Sequence, residues 1–378
     1  MVTQTKKEYL ARIKDRYRHA GRRHKKIILD EFCEVCGHHR KHAIRLLNQD
    51  GRKKKRKPGR PSKYGPAEIQ VLENIWLNAD RPCSVRLVGV IPIWLPHYEK
   101  HYGQLEESTR QKILSAKPRT LDRVLRRVRK KHGSRGLSGT RPGQYLKHSI
   151  PIKISHADVH EPGYIQADTV AHGGDSLEGD FVWSLTFTDI ESGWTLNGAV
   201  WNKGEYGVRQ QLERMEQQLP FTIKGFHSDN GSEFINHHLE RYYRDRETPV
   251  KMTRGRPGRK NDCPHVEQKN YTHVRCLLGY QRIEEHALVK TINEMYEAAN
   301  LLNNFFQANR HLVFKERRGS RYYKKYDHAI SPCDRLLASE HITQLQKTWL
   351  TELRLNLDPY KLRRLIDTKQ RSIFTKLR

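Results

Sequence analysis

Residues 221–234 read FTIKGFHSDNGSEF. This run is a short strand, then a polar turn in which Gly231 permits tight curvature, then a helix start. Upstream, PGYIQADTVAH (162–172) reads as a strand with Asp168 near its end. DFVWSLTFTDIESGWTLNGAVWNK (180–203) reads as two antiparallel strands that turn near Glu191-Ser192-Gly193. Residues 205–218 have helical texture. Downstream, 248–253 is a short strand, and 264–279 and 285–308 are helices. The order β-β-β-α-β-α-β-α-α predicts a mixed α/β sheet.

Three acids stand out by their place in that pattern. Asp168 lies in the strand segment QADTV, and Asp229 lies where the next such strand ends. Glu267 lies in NDCPHVEQKN, in the first turns of a helix that Pro264 can open. Ligands gather at strand ends of α/β sheets. Two carboxylates there, joined by a third from a nearby helix, form an oxygen cage for hard divalent cations such as Mg2+. Two such ions about 3.5–4 Å apart activate a water or a 3′-hydroxyl and stabilise the leaving oxygen. Phosphoryl transfer needs this because charge builds on the phosphate oxygens. A lone acid in this half is otherwise a salt-bridge partner or a cap, so strand and turn context sets these three apart.

Their neighbours are weaker candidates. Glu233, four residues past Asp229, competes for the third ligand position, and Asp189 reads as a turn residue. His227 and Asn230 flank Asp229 and could position water or phosphate; His227 reads equally as a satisfied strand histidine. His172 follows the first strand without an assigned role, and Asn270, one turn past Glu267, can face the same cleft. Lys269, Arg254, Arg256, Arg259, Lys260 and Arg275 suit DNA beside the site. TRGRPGRKNDCP (253–264) is either a basic loop serving the site or a plain connection.

Residues about 160–310 resemble the integrase core shared by retroviral integrases and many bacterial insertion-sequence transposases. The ADT strand, the HSDNGSEF turn and the HVEQKN helix start match its three acid-bearing segments in order. The intervals, 61 residues from Asp168 to Asp229 and 38 on to Glu267, are also similar. One departure is Gln268, which stands before Lys269 where a basic residue often follows the Glu directly. The resemblance implies an RNase H-like fold with a mixed five-stranded sheet. It implies catalysis by Asp168, Asp229 and Glu267 holding two Mg2+, with Mn2+ able to substitute.

The chain has 378 residues, 36% of them apolar and 30% charged, with 71 Lys+Arg against 42 Asp+Glu and a net charge of +29. That length implies several domains, and that charge argues against a typical metabolic enzyme and for a polyanionic partner. Residues 1–150 hold 37 Lys+Arg and 13 acids, whereas the remainder holds 34 and 29. The basic part and the nearly balanced part therefore have different work.

In the basic part, 7–19, 25–35 and 38–48 have helical apolar spacing, with Gly37 breaking the last two. This is helix-turn-helix logic, and it exposes His39, Arg40, Lys41 and Arg45 to DNA. Cys33-x-x-Cys36 with His38 and His42 has zinc-ligand chemistry but not zinc-site spacing; both cysteines read as residues of the apolar helix face, with zinc the alternative. GRKKKRKPGRPSKY (51–64) carries eight basic residues and no acid, so it is a solvated linker or an AT-hook-like arm that lays Arg60 in a minor groove. A second helix-turn-helix type domain is expected over 66–135. Its recognition helix is PRTLDRVLRRVRKKHG (118–133), with Thr120 as N-cap and Arg123, Arg126 and Arg127 outward. The expected organisation is thus 1–50 helix-turn-helix, 51–65 linker, 66–135 second DNA-binding domain, 136–155 linker, 156–310 catalytic core and 311–378 C-terminal region.

In the last region, FKERRGSRYYKKYD (314–327) alternates aromatic and basic residues in a way that suits a nucleic-acid groove or a short amphipathic strand pair. Residues 331–378 have helical texture. The longest apolar stretch, Leu87–Leu95, contains Pro92 and is too short for a bilayer, and the N-terminus lacks a signal-peptide core. Six scattered cysteines fit a reducing cytoplasm.

The expected function is DNA transposition: double-stranded DNA ends bound by the basic half, 3′-end cleavage and strand transfer by the core, and a homo-oligomer to handle both ends. Two rivals stand beside it, a helix-turn-helix transcriptional regulator and an RNase H-like nuclease that cuts without joining.

Overall fold

The computed structural model of the protein describes residues 3–49, 63–132, 159–176, 178–229, 234, 237–255 and 264–377. Two compact units result, Met1–Lys63 and Tyr64–Arg378.

The first unit has three helices, α1 (Thr3–His19), α2 (Arg22–Cys36) and α3 (Arg40–Asn48). Ile13, Tyr17, Ile28, Leu29, Phe32, Cys36, Ala43 and Leu47 form its core. Gly37 ends α2 in the left-handed region, with its N–H donating to Cys33 O. A Cβ disfavours that conformation, so glycine there sets the turn into α3. The expected helices and the glycine turn between the last two are therefore present. Cys36 is spent in the apolar core, and among the described residues no group of three or more His, Cys, Asp or Glu is placed to hold a metal ion. The 51–62 arm with Arg60 lies outside the described residues.

The second unit is built on a five-stranded sheet in the order β3-β2-β1-β4-β5. The strands are β1 (Tyr164–Ala171), β2 (Val182–Asp189), β3 (Thr195–Trp201), β4 (Gly225–Ser228) and β5 (Lys251–Arg254). β1, β2 and β3 form an antiparallel meander, and β1, β4 and β5 run parallel. The parallel step is made across α9 (Glu205–Glu216), and α10 (His237–Arg244) lies between β4 and β5. This order and polarity is the mixed five-stranded, RNase H-like sheet that the sequence led one to expect.

The turn between β2 and β3 is locked by Asp189. Its carboxylate accepts from Ser192 N–H at 2.8 Å, Ser192 Oγ–H at 2.6 Å and Gly163 N–H at 2.8 Å. Asp189 is thus the turn residue it reads as, and burial pushes its carboxyl up to about 6.

The free edge of β3 is closed by side chains. Helix α13 (Leu288–Phe306) lies along it and presents Asn293, Asn300 and Asn304. Each carboxamide accepts from one backbone N–H and donates to the C=O of the same residue: Asn293 with Ala199, Asn300 with Asn197, and Asn304 with Thr195. The distances run from 2.8 to 3.1 Å. Spacings of seven and four keep the three asparagines on one face of α13, and residues 195, 197 and 199 turn their N–H and C=O groups to the same edge of β3.

The second expected DNA-binding domain differs. Residues 66–131 form five helices, α4 (Pro66–Asn78), α5 (Ser84–Tyr102), α6 (Glu107–Leu114), α7 (Pro118–Val124) and α8 (Arg126–Lys131). They share one apolar core with the sheet and with α14 (Pro332–Ala338), α15 (Gln344–Asn356) and α16 (Pro359–Lys376). Trp94 Nε1 donates to Phe306 O at 2.9 Å, Arg86 Nε to Ala308 O at 2.7 Å, and Tyr360 OH to Asn74 Oδ1 at 2.9 Å. A Cβ on Gly89 would stand 2.1 Å from Ala329 O, so only glycine lets α5 approach that backbone. The apolar stripe of α4 and α5 that reads as the inside of a small domain is instead used against the rest of the unit.

The expected recognition helix is also broken. Leu125, with ψ near zero, separates α7 from α8, and Lys117 rather than Thr120 is the N-cap. Arg123, Arg126 and Arg127 remain exposed. Arg129 turns inward to Asp122 and Ser84, over the Trp76 ring. The 136–155 linker lies outside the described residues. No helix among the described residues is long and apolar enough to cross a membrane.

Candidate active site

β1 organises the site. Its residues 166 and 168 point to the same face, because side chains alternate along a strand. Asp168 stands at mid-strand rather than near the end. The parallel register pairs Ala167 with Ser228, so Asp229 follows one step beyond β4 as the in-register neighbour of Asp168. Adjacent strands lie about 4.8 Å apart, which brings the two acids side by side.

Glu267 is carried by α11 (Pro264–Lys269), which continues through a π-helical turn, Asn270–Arg275, into α12 (Cys276–Leu278). Two side chains tie this helix to β1, one acting on each side of Glu267. Before it, Gln166 Oε1 accepts from the N–H groups of His265 at 3.1 Å and Val266 at 3.3 Å. These are first-turn donors that the helix cannot satisfy itself. After it, Asn270 Nδ2 donates to Asp168 Oδ2 at 2.5 Å. Gln166 is fully buried, and its own Nε2 has no hydrogen-bond partner among the described residues.

The electrostatics join the acids. Burial, then the charge of Asp229 and that of Glu267, push the Asp168 carboxyl up to about 7, against opposing bonds from Thr169 N–H and Asn270. Two carboxylates raising the affinity of a third for a proton is the signature of crowded negative charge. The donor set is all oxygen, and the buried Asn270 Oδ1 makes no hydrogen bond among the described residues. This chemistry fits a hard divalent cation. The three carboxylates do not stand as a closed metal-holding group.

An acid whose pKa is raised by folding stabilises the folded state when protonated. That contribution is present at low pH and lost as pH rises through about 7. In EDTA, the melting temperature should therefore fall between pH 6 and pH 8. Added Mg2+ should raise it more at pH 8 than at pH 6. A Mg2+ effect independent of pH in a thermal melt would contradict the crowding of charge at Asp168.

The other expected residues are placed as follows. His227 Nδ1 lies 2.9 Å from Thr253 Oγ1, inside the sheet. His172 is buried 2.8 Å from Ser184 Oγ, and burial pushes its pKa down to about 3, so it is a neutral structural group. Lys269 was expected on DNA. Its side chain is instead partly buried, and burial with Arg86 and Arg335 nearby lowers it to about 7. Arg275 is engaged with Ala171 O and Gly279 O, and Arg254 is buried. Asn230, Glu233, Arg256, Arg259 and Lys260 lie outside the described residues. In the first unit, Arg40 pairs with Asp30, Arg45 Nη2 lies 3.0 Å from His42 Nδ1, and Lys41 is exposed.

Sequence reading missed Gln166. The available signal was a polar residue two positions before Asp168, which places it on the same face of the strand. Replacing it by Leu removes the acceptor for two helix N–H groups and frees the Glu267 helix to shift, while keeping all three carboxylates. Cleavage turnover should fall about a hundredfold, the usual cost of an ångström-scale displacement, with DNA affinity unchanged. Single-turnover kinetics beside a binding isotherm would separate the two, and unaltered turnover would remove Gln166 from the site.

The chain is 36% identical over 337 residues to uncharacterized protein y4rM of Sinorhizobium fredii, a match covering 88% of this chain and 95% of the relative. The chain belongs to the y4rM family. Among solved structures, it is similar to the catalytic core domain of BIV integrase, at 18% identity and a TM-score of 0.32, over 47% of this chain and 96% of that one. The fold of this y4rM-family chain stands on its strand order and register rather than on that likeness. No family model matches the chain.

Proposed function

We propose that the chain is a DNA transposase of an insertion sequence, acting in the cytoplasm on double-stranded DNA as a homo-oligomer. The observation that carries the reading is Asp168 on the central strand of an RNase H-like sheet, in register with Asp229 at the end of the next strand and bonded to Asn270 on the helix that carries Glu267, with its carboxyl raised by burial and by the charge of both acids. Asp168, Asp229 and Glu267 would hold two Mg2+, or Mn2+ in their place. Bound there, the metal would supply activation of water or a 3′-hydroxyl and stabilisation of charge on the phosphate. Gln166 and Asn270 hold the Glu267 helix against β1, so the carboxylates are positioned before substrate arrives. Arg40, Lys41 and Arg45 on α3 serve as the helix-turn-helix contacts to element ends. Arg123, Arg126 and Arg127 offer a second exposed basic face.

The test is to incubate the purified protein with Mg2+ and a plasmid carrying its own gene and native flanks, beside the Asp229→Asn variant. Cleavage at defined flank positions with joining to a second DNA, lost in the variant, is the expected result. Cleavage without joining would make the chain a nuclease. Binding without cleavage, unchanged in the variant, would make it a regulator and end the assignment of the three acids.

A further inference from the structure

Residues 312–326 form a two-stranded ribbon, β6 (Leu312–Arg318) and β7 (Arg321–Tyr326), joined at Gly319-Ser320. It is clamped at its base. His311 N–H donates to Asp327 Oδ1 at 2.6 Å, Arg335 Nη1 donates to Asp327 Oδ2 at 2.5 Å, and Arg310 Nε donates to Asp327 O at 2.7 Å. Beyond that base, every described side chain of both strands is exposed. An isolated two-stranded ribbon is marginal in water, and this one leaves Val313, Phe314, Tyr322, Tyr323 and Tyr326 in solvent. It is an arm anchored at one end and, among the described residues, exposed along its length.

The chemistry of the arm names its partner. The ribbon has six Lys and Arg and a single Glu. Directly paired residues share a face. One face carries the pairs Phe314 with Lys325, Glu316 with Tyr323, and Arg318 with Arg321; the other carries Arg317 with Tyr322, and Lys324. Arg318 is stacked over Tyr323 at 4.6 Å, and Phe314 meets that ring edge-on at 6.2 Å. Arg321, Lys324 and Lys325 form no ion pair with another described residue. A ribbon lying flat on a partner would need charge on one face only. Positive charge on both faces fits a slot with two negative walls. The major groove of duplex DNA is such a slot, about 12 Å wide, and it admits a two-stranded ribbon. The same charge repels a second copy of the ribbon.

We propose that the β6–β7 ribbon is a DNA-binding arm that enters the major groove and grips phosphates on both walls. This rests on the proposed action on DNA. The experiment titrates the full-length protein against duplex DNA bearing the native flank at several salt concentrations, alongside R321Q/K324Q/K325Q. Because these side chains are exposed, the triple variant should melt like the parent. Each lost phosphate contact lowers the salt slope by about 0.9, so the slope should drop by about 2–3, and affinity near 0.1 M salt should fall about ten- to a hundredfold. An unchanged slope and affinity would overturn the arm while leaving the catalytic reading intact. A loss seen only on double-stranded RNA, or a changed oligomeric state with an unchanged DNA slope, would assign the ribbon to those partners instead. A parent protein that binds no duplex would overturn the DNA reading and the arm together.

Discussion

Asp168→Asn should lose about a thousandfold or more of Mg2+-dependent cleavage, yet melt higher than the parent in EDTA at pH 8. The activity loss follows from removing a carboxylate from the proposed metal-holding set. The gain in stability follows from the crowding that makes the site useful. Asp168 is held among two other acids with its carboxyl pushed up to about 7, so its ionised form at pH 8 opposes folding. The shift sets an upper bound of about 4 kcal/mol, and partial exposure reduces this to about 2 kcal/mol. The substitution is also locally compatible. Thr169 N–H still finds an acceptor, and Asn270 can rotate its amide so that the unbonded Oδ1 accepts from the new NH2. Thermal melts and cleavage assays on one preparation would check both halves. A variant that retains cleavage, or melts lower than the parent at pH 8, would contradict the site.

The largest expected loss of stability is at the sheet edge. Asn300 and Asn304 are buried, and each satisfies one N–H and one C=O of β3. Truncating either to Ala strands both backbone groups, at about 1–3 kcal/mol for each group. The double variant should therefore lose about 4–12 kcal/mol, most or all of a typical domain's stability. It should also aggregate, because an uncovered edge strand is a template for pairing. Asn293→Ala should cost less, since that pair is only partly buried. Urea melts of the three single variants and the double variant would test the ordering. A double variant that unfolds at the parent's midpoint would show that the asparagines merely decorate the edge.

The element order was legible because alternation and turn residues are local signals. SLTFTD and TLNGAVW alternate, Ser192 and Gly193 turn between them, and the structure places β2 and β3 there in antiparallel register. The three acids were legible as candidates because each lies in a distinctive strand, turn or helix-start context. The placement of Lys269 and of residues 66–131 was not legible, for one shared reason. A basic residue or an apolar stripe advertises its chemistry in the sequence but not its surroundings. Lys269 is partly buried near Arg86, which α5 brings from about 180 residues away in the chain, and the stripe of α5 is buried near Phe306 and Tyr360.

Local patterning therefore specified the strands, the helices, the division between a basic and a balanced half, and the acids worth testing. These depend on intrinsic propensity and on spacing within a few residues. Tertiary structure alone decided that Gln166 and Asn270 straddle Glu267, that three asparagines close β3, that 66–131 belongs to the larger unit, and that the described residues of the 312–326 ribbon are exposed on both faces. Each depends on contacts between residues distant in the chain, whose pairing is set by which packing buries the most apolar surface while leaving the fewest backbone groups unbonded.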